Sequence, residues 1–199
     1  MLAILDTASL DRAVLVGASY GALVALDLAA SHPERVAGLV LAGAPLPDQP
    51  WSPETEAFFA AEEEALASGD LAAATELNVA FWLPDAPELV RTAIGRQQLR
   101  AFELQIGSTA EESFLTDDLP SKLGAIHCPA LVLVGEHDVA DFRAIADRLA
   151  AALPNAREET IAGAAHLPSL ERPDAFDAVV LAFIAELAGA ARVDPRPVE

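Results

Sequence analysis

The chain alternates between short apolar segments and longer segments whose apolar residues recur at helical spacing. Three short segments are bounded by charged residues, glycine or proline. They predict strands that are buried on both faces: Ala13 to Gly17, Val36 to Leu41 and Ala130 to Val134. A fourth strand is expected from Arg157 to Ile161. These four segments are the candidates for one central sheet.

Segments of helical length follow these strands. Tyr20 to Ala30 contains a single charged residue, which predicts a helix buried nearly all round. From Asp141 to Leu153 the apolar residues fall on one helical face, and Asp141 is placed to cap the first turn. Pro173 to Leu187 keeps the same spacing, with Pro173 suited to the first turn. Strands that alternate with helices predict a parallel sheet covered by helices on both faces.

The alternation is interrupted between residues 46 and 120. Prolines cluster where the interruption begins, and Ala/Glu/Leu-rich helices follow, broken near Gly69 and again near Pro84 and Pro87. We predict an inserted helical cap over the carboxyl edge of the sheet. The tail is rich in proline and charge and is expected to be disordered. The predicted units are core 1–45, cap 46–120, core 121–188 and tail 189–199.

Composition limits the function classes. The net charge of −19 disfavours nucleic acid and anionic membrane surfaces as partners. No apolar run reaches the roughly 18 residues of a membrane-spanning helix. The first residues lack a basic leader and a long apolar block, which predicts a cytoplasmic protein. The lone cysteine, Cys128, is expected to be a small core residue, and no Cys/His spacing indicates a metal site.

Gly17-Ala18-Ser19-Tyr20-Gly21 matches the pattern G-x-S-x-G between a predicted strand and a predicted helix. A tight turn there forces Ser19 into strained dihedral angles and calls for small residues two positions away on either side. The N–H of Tyr20 and the positive end of the helix would face a developing oxyanion. A glycine-rich turn that only permits close packing fits the same five residues.

A serine nucleophile needs a histidine to take its proton and a carboxylate to orient that histidine. Asp138 directly follows the third predicted strand, and His166 lies in a loop between the fourth strand and the last helix. The order Ser19, Asp138, His166 therefore predicts a catalytic triad. Three other carboxylates are alternatives for the acid: Glu136 and Asp141, both expected to be solvated, and Asp48 after the second strand.

The remaining candidate residues are expected to have simpler roles. His32, His127 and His137 are assigned to a helix end, a strand entry and an exposed position. The acidic run 62–64 is interpreted as a solvated helix face. Most cap aromatics should form the interior of the cap: Trp51, Phe58, Phe59, Phe81, Trp82 and Phe102. Within this set, Trp82 and Phe81 are predicted to line the substrate pocket together with Tyr20.

Three segments carry a resemblance to a known family: LVGASYGALVALDLAASHPERVAGLVLAGAP, HCPALVLVGEHD and AGAAHLPSLERPDAF. The chain resembles the α/β-hydrolase family, and more narrowly its small capped esterases and enol-lactonase-like members. The resemblance implies an α/β-hydrolase fold, a small-molecule ester or lactone as substrate, and no cofactor. A cofactor-free perhydrolase or C–C hydrolase would use the same triad. A non-catalytic fragment or small-molecule receptor would retain only the pocket.

The chain departs from this family pattern at its start. The strands that usually precede the serine turn have no counterpart, nor does the loop that supplies a second oxyanion donor. Met1 to Ser9 resembles only the end of the preceding helix. We therefore expect an N-terminally truncated sheet of about four strands, from a fragment or a wrongly assigned start, with weakened activity. Its uncovered first strand is a candidate for self-association.

Overall fold

The computed structural model describes residues 1–109 and 113–193. Its centre is a parallel sheet in the order β1-β2-β3-β4, with the four predicted strands in sequence order. The strands are β1 (Ala13–Ala18), β2 (Val36–Ala42), β3 (Ala130–Gly135) and β4 (Ala156–Ile161). Parallel pairing places all four carboxyl ends at one edge of the sheet. The segments that carry Ser19, Asp138 and His166 therefore begin at that edge.

Helices connect and cover the strands. In chain order they are α1 (Leu2–Thr7), α2 (Tyr20–Ser31), α3 (Pro53–Ala67), α4 (Leu71–Trp82), α5 (Glu88–Ile106), α6 (Leu119–Lys122), α7 (Ala140–Ala152), α8 (Pro168–Glu171) and α9 (Pro173–Val193). Among the described residues, no helix combines the length and the apolar character needed to cross a membrane.

The two faces of the sheet build separate apolar clusters. Leu39 and Leu41 of β2 pack with α2 and α7 on one face, whereas Val40 and Ala42 pack against α9 on the other. This division follows from the alternation of side chains along a strand. It confirms the prediction of a parallel sheet with helices on both faces.

Strand β1 differs from the prediction that it is buried on both faces. It lies at one edge of the sheet, and its side chains are largely half-buried, with Val16 at 52% exposure. The apolar composition of a strand reports its preference for burial, but the presence of a covering layer depends on tertiary structure. Self-association through this edge stays a prediction.

Helix α2 is apolar on nearly all sides, and its one charged residue is buried with partners. The carboxylate of Asp27 accepts hydrogen bonds from the N–H groups of Leu115 at 2.9 Å and Thr116 at 3.0 Å. The buried charge is thereby compensated by backbone dipoles. The same two hydrogen bonds attach the segment that follows the helical insertion to the core.

The segment between β2 and β3 contains α3, α4 and α5, which pack against one another. Ser52 caps α3 and Asp70 caps α4, each accepting from a backbone N–H of the first turn. The aromatic side chains of α3 and α4 meet, and the rings of Phe58 and Phe81 stack at 4.1 Å between centroids. Residues 110–112 of the predicted cap lie outside the described residues.

Two expectations about helix ends are wrong. Asp141 does not cap α7, because Val139 occupies the N-cap position and the Asp141 carboxylate bonds to Ser52 and Thr55 instead. The predicted disordered tail, 189–199, continues α9 as far as Val193. Alanine has the highest helix propensity, and the alanines of this segment extend the helix that already packs on the sheet. The rest of that tail, 194–199, lies outside the described residues.

Candidate active site

Ser19 lies in the turn that joins β1 to α2, at the carboxyl edge of the sheet. Its backbone has φ 50° and ψ −123°. Non-glycine residues rarely adopt such a conformation, which costs about 1–3 kcal/mol. The Ser19 N–H donates to the carbonyl of Ala42 at 2.8 Å, which attaches the strained turn to the end of β2. The turn therefore presents the serine hydroxyl beyond the sheet.

The two glycines around Ser19 have different importance. A Cβ at Gly17 would lie 2.5 Å from the carbonyl oxygen of Gly21 and 2.6 Å from the N of Ala22, so no side chain fits there. A Cβ at Gly21 would have no neighbour within 4 Å. The expectation that both positions must be small is therefore wrong for Gly21, because the close approach involves only the strand side of the turn.

The structure brings Ser19, His166 and Asp138 together. His166 Nε2 lies 3.1 Å from Ser19 Oγ, and His166 Nδ1 lies 3.1 Å and 3.2 Å from the two carboxylate oxygens of Asp138. His166 is 4% exposed and Asp138 is 3% exposed. This geometry allows Asp138 to accept from Nδ1–H, which leaves Nε2 to accept the serine proton.

Two more glycines allow the histidine loop to reach Ser19. A side chain on Gly135, at the end of β3, would collide with the carbonyl oxygens of Ala164 and Ala165. Gly43 has φ 53°, and a Cβ there would lie 3.1 Å from Cε1 of His166. The imidazole thus lies against Gly43, and the backbone before it lies against Gly135, in space that side chains at these two positions would fill.

Aromatic rings surround the imidazole of His166. The ring centroids of Trp82 and Phe142 lie 4.3 Å and 4.4 Å from it. The N–H of His166 also donates to the carbonyl of Trp82 at 3.3 Å. The last residue of α4 therefore holds both the ring and the backbone of the histidine.

Glu171 is a residue of this site that the sequence analysis missed. Its carboxylate is buried and accepts from the N–H of Ala165 at 3.0 Å and the N–H of Leu167 at 2.9 Å. These two residues flank His166, so one side chain fixes the backbone on both sides of the histidine. Glu171 is the one acidic residue of the mostly apolar segment 162–171, and this is the signal that could have identified it.

The alternative carboxylates have other partners. Asp48 forms a two-pronged ion pair with Arg148, and Glu136 accepts from the N–H of Gly163. Asp141 is buried, which contradicts its expected solvation, because Ser52 and Thr55 of the insertion cover and bond it. Of the four candidate acids in the described chain, Asp138 is the one bonded to His166.

Hydrogen bonds and burial shift the pKa values of three of the carboxyl groups in this part of the molecule. The Arg148 guanidinium hydrogen-bonded to Asp48 lowers the pKa of that carboxyl below its ordinary value. Burial opposes ionisation of Asp141, but hydrogen bonds from Thr55 and Ser52 outweigh it and lower its pKa. Glu62 is half-buried rather than solvated as expected. Burial raises its pKa, against the effect of a hydrogen bond from Asn78.

The other three histidines and the cysteine lie outside the triad. His32 ends α2, His127 precedes β3, and His137 is exposed. Cys128 is partly buried against the core. In the described parts of the chain, no group of three or more His, Cys, Asp or Glu residues is arranged to hold a metal ion.

A cavity of about 240 Å³ opens beside Ser19 and His166. Its other lining residues come mainly from α4, α5 and the histidine loop: Asn78, Trp82, Leu83, Ile94, Gln98 and Leu167. Trp82 lines the cavity as predicted. Phe81 does not, because its ring stacks on Phe58 within the helical layer. The Tyr20 side chain is also outside the lining, since it points to the surface beside Phe114.

Comparison with known proteins identifies relatives over most of the chain. Residues 1–173 match the model of a family described as alpha/beta hydrolase fold. The pimeloyl-[acyl-carrier protein] methyl ester esterase of Serratia marcescens is 31% identical in an alignment that covers 93% of this chain and 75% of that protein.

Solved structures show the same similarity. A thermophilic esterase from Thermogutta terrifontis superposes with a TM-score of 0.74 at 25% identity, covering 92% of this chain and 69% of that one. The enol-lactonase from Burkholderia xenovorans LB400 superposes with a TM-score of 0.71 at 27% identity, covering 92% and 70%. The fold and the relatives agree in indicating one family.

The serine turn yields a stability prediction. We expect Gly17→Ala to lower the free energy of unfolding by about 2 kcal/mol or more, because the new methyl group meets backbone atoms that cannot move aside. Gly21→Ala is the matched control and should change it by less than about 1 kcal/mol. Urea unfolding followed by circular dichroism measures both. Equal effects of the two substitutions would contradict the packing argument.

Proposed function

The chain belongs to the alpha/beta hydrolase fold family, and on that premise we propose that it hydrolyses small carboxylic esters or lactones through an acyl-enzyme on Ser19. The observation that carries the proposal is the pair of hydrogen-bonded contacts from His166 to Ser19 and to Asp138. The relatives named as an esterase and an enol-lactonase support the same reaction class.

The first half of the reaction forms the acyl-enzyme. Ser19 Oγ attacks the carbonyl carbon while its proton moves to His166 Nε2, and the carbonyl electron pair moves onto oxygen. Asp138 accepts from Nδ1–H and stabilises the imidazolium. The carbonyl re-forms, the bond to the alcohol oxygen breaks, and His166 returns the proton to that oxygen.

The second half hydrolyses the acyl-enzyme by the same steps. Water replaces the alcohol, His166 takes a proton from it, and the hydroxide oxygen attacks the acyl carbon. The bond to Ser19 Oγ then breaks, and the serine oxygen recovers the proton from Nε2. For a lactone, the alcohol and the acid remain parts of one molecule.

The oxyanion formed in both halves needs hydrogen-bond donors. We assign this role to the backbone N–H of Tyr20, the first residue of α2, supported by the positive end of that helix. The Tyr20 side chain is not needed for this contact, which is consistent with its position at the surface.

The surroundings of His166 favour the proton transfers. His166 and Asp138 are both buried, and Trp82 and Phe142 pack on His166, so the electrostatic interaction between His166 and Asp138 is stronger than it would be in water. Glu171 positions the histidine by bonding the backbone on both of its sides. The helices α3, α4 and α5 act as a cap in this proposal, because α4 and α5 provide most of the cavity wall.

We expect Ser19→Ala to abolish covalent labelling by a fluorophosphonate probe and hydrolysis of short-chain esters. The labelled residue in the unaltered protein should be Ser19, identified by mass spectrometry of its peptides. Ser9→Ala is the control, because Ser9 also has a positive φ but lies outside the cavity. Labelling that persists at another residue would contradict the assignment.

Asp138→Asn should lower kcat by about 10⁴-fold, because an amide beside Nδ1 favours the wrong imidazole tautomer. Asp48→Asn is the matched control and should leave kcat within about twofold, since Asp48 only pairs with Arg148 at the surface. Steady-state hydrolysis of a chromogenic ester measures both. A near-normal rate for Asp138→Asn would remove Asp138 from the mechanism.

Glu171→Gln should lower kcat by about 10²-fold while KM changes little, because an amide has one acceptor oxygen and would turn its NH₂ toward one of the loop N–H groups. Glu63→Gln, on the exposed face of α3, is the control. If kcat falls only in proportion to the folded fraction, measured by urea unfolding, then Glu171 stabilises the fold without positioning His166.

A further inference from the structure

The cavity beside Ser19 has polar lining residues that the proposed reaction does not use. Its wall includes two amide side chains, Asn78 of α4 and Gln98 of α5. Asn78 precedes the lining residue Trp82 by four positions, and Gln98 follows the lining residue Ile94 by four. Residues four apart share one helix face, so both amides belong to the faces that enclose the cavity.

The spacing along α4 separates Asn78 from the reacting end of the cavity. Trp82 marks the reacting end, since its ring lies 4.3 Å from the imidazole of His166. Four residues of α-helix rise about 6 Å. A substrate group that binds Asn78 therefore lies several bonds away from the carbonyl carbon attacked by Ser19.

The two amides have free hydrogen-bonding capacity toward a ligand. Asn78 Nδ2 donates to Glu62 Oε1 at 2.7 Å, which uses one of its two N–H groups and leaves Oδ1 as an acceptor. The Gln98 side chain has no hydrogen-bond partner within residues 1–109 and 113–193. A group that both donates and accepts would satisfy the two amides together.

Charge decides which polar group fits. The lining contains neither lysine nor arginine, and its one titratable side chain is that of His166. The charged group nearest Asn78 is the Glu62 carboxyl, and the whole chain has a net charge of −19. A substrate carboxylate would lie near the Glu62 carboxyl with no cation in the lining to pair with it, whereas a hydroxyl group carries no charge that needs a partner.

We propose that Asn78 and Gln98 bind a hydroxyl group on the substrate, so that neutral hydroxylated esters are preferred over unsubstituted and anionic ones. The inference deepens the proposed esterase function and rests on it for the kinetic test, but the binding preference can be measured separately.

The kinetic test compares three 4-nitrophenyl esters of equal chain length: hexanoate, 6-hydroxyhexanoate and the monoester of adipic acid. We expect kcat/KM for the hydroxylated ester to exceed that for hexanoate about fivefold, the value of one added hydrogen bond. The anionic ester should be slower than the hydroxylated one by at least about tenfold. Equal rates for the hydroxylated and plain esters would overturn the proposal.

Leucine variants test whether the two amide side chains cause the preference for the hydroxylated ester. Gln98→Leu and Asn78→Leu should each bring the ratio of kcat/KM for the hydroxylated ester to that for the plain ester close to one. Gln97→Leu, on the exposed side of α5, should retain the full ratio. Asn78→Leu loses the hydrogen bond to Glu62 and could fail to fold for that reason. Gln98→Leu loses no such bond, so it tests the proposal on its own. A ratio unchanged in Gln98→Leu would contradict its role.

A binding measurement distinguishes this inference from the proposed function. Calorimetry of the unaltered protein with 6-hydroxyhexanamide, hexanamide and the monoamide of adipic acid should give tightest binding for the hydroxylated amide. That preference together with no ester hydrolysis would refute the esterase function and support the hydroxyl site. No preference, or no detectable binding of 6-hydroxyhexanamide, would refute the hydroxyl site even if all three esters are hydrolysed.

Discussion

The hydrogen bond between Ser19 Oγ and His166 Nε2 joins residues 147 positions apart, and it depends on the parallel register of the sheet. Ala18 at the end of β1 is paired with Ala42 of β2, and Gly135 at the end of β3 is paired with Ile161 of β4. A slip of one residue would move a strand end by about 3.3 Å, more than a hydrogen bond tolerates. The candidate active site is thus set first by backbone pairing.

Contacts of backbone with backbone then bring the site segments close enough to meet. Gly17 lets β1 touch the first turn of α2, and Gly135 lets β3 touch the carbonyls of the histidine loop. The carboxylate of Glu171 completes this arrangement, since it accepts from the N–H of Leu167 and from the N–H of Ala165, which would otherwise be buried without a partner. The geometry of the site therefore depends on the absence of side chains at Gly17 and Gly135 as much as on the reactive side chains.

The helical insertion and the sheet form one structural unit at the site. The carbonyl of Trp82 accepts from His166, and the buried carboxylate of Asp141 in α7 holds Ser52 and Thr55 at the start of α3. The bond from Thr55 to Asp141 is buried, and a hydrogen bond shielded from water is stronger than one at the surface. The insertion therefore supplies the cavity wall and also helps to fix the imidazole that the wall surrounds.

The sequence by itself determined the parallel sheet, the turn at Ser19 and the order in which Asp138 and His166 follow, because these depend on local periodicity and on what each backbone position allows. Only the tertiary structure decided which carboxylate reaches the histidine, that Gly17 rather than Gly21 is sterically required, and that Glu171 holds the loop. It also placed Phe81 inside the helical layer and brought Asn78 and Gln98 to one cavity. These outcomes depend on how distant segments pack, and a local pattern of apolar and polar residues specifies which face is buried but not what it meets.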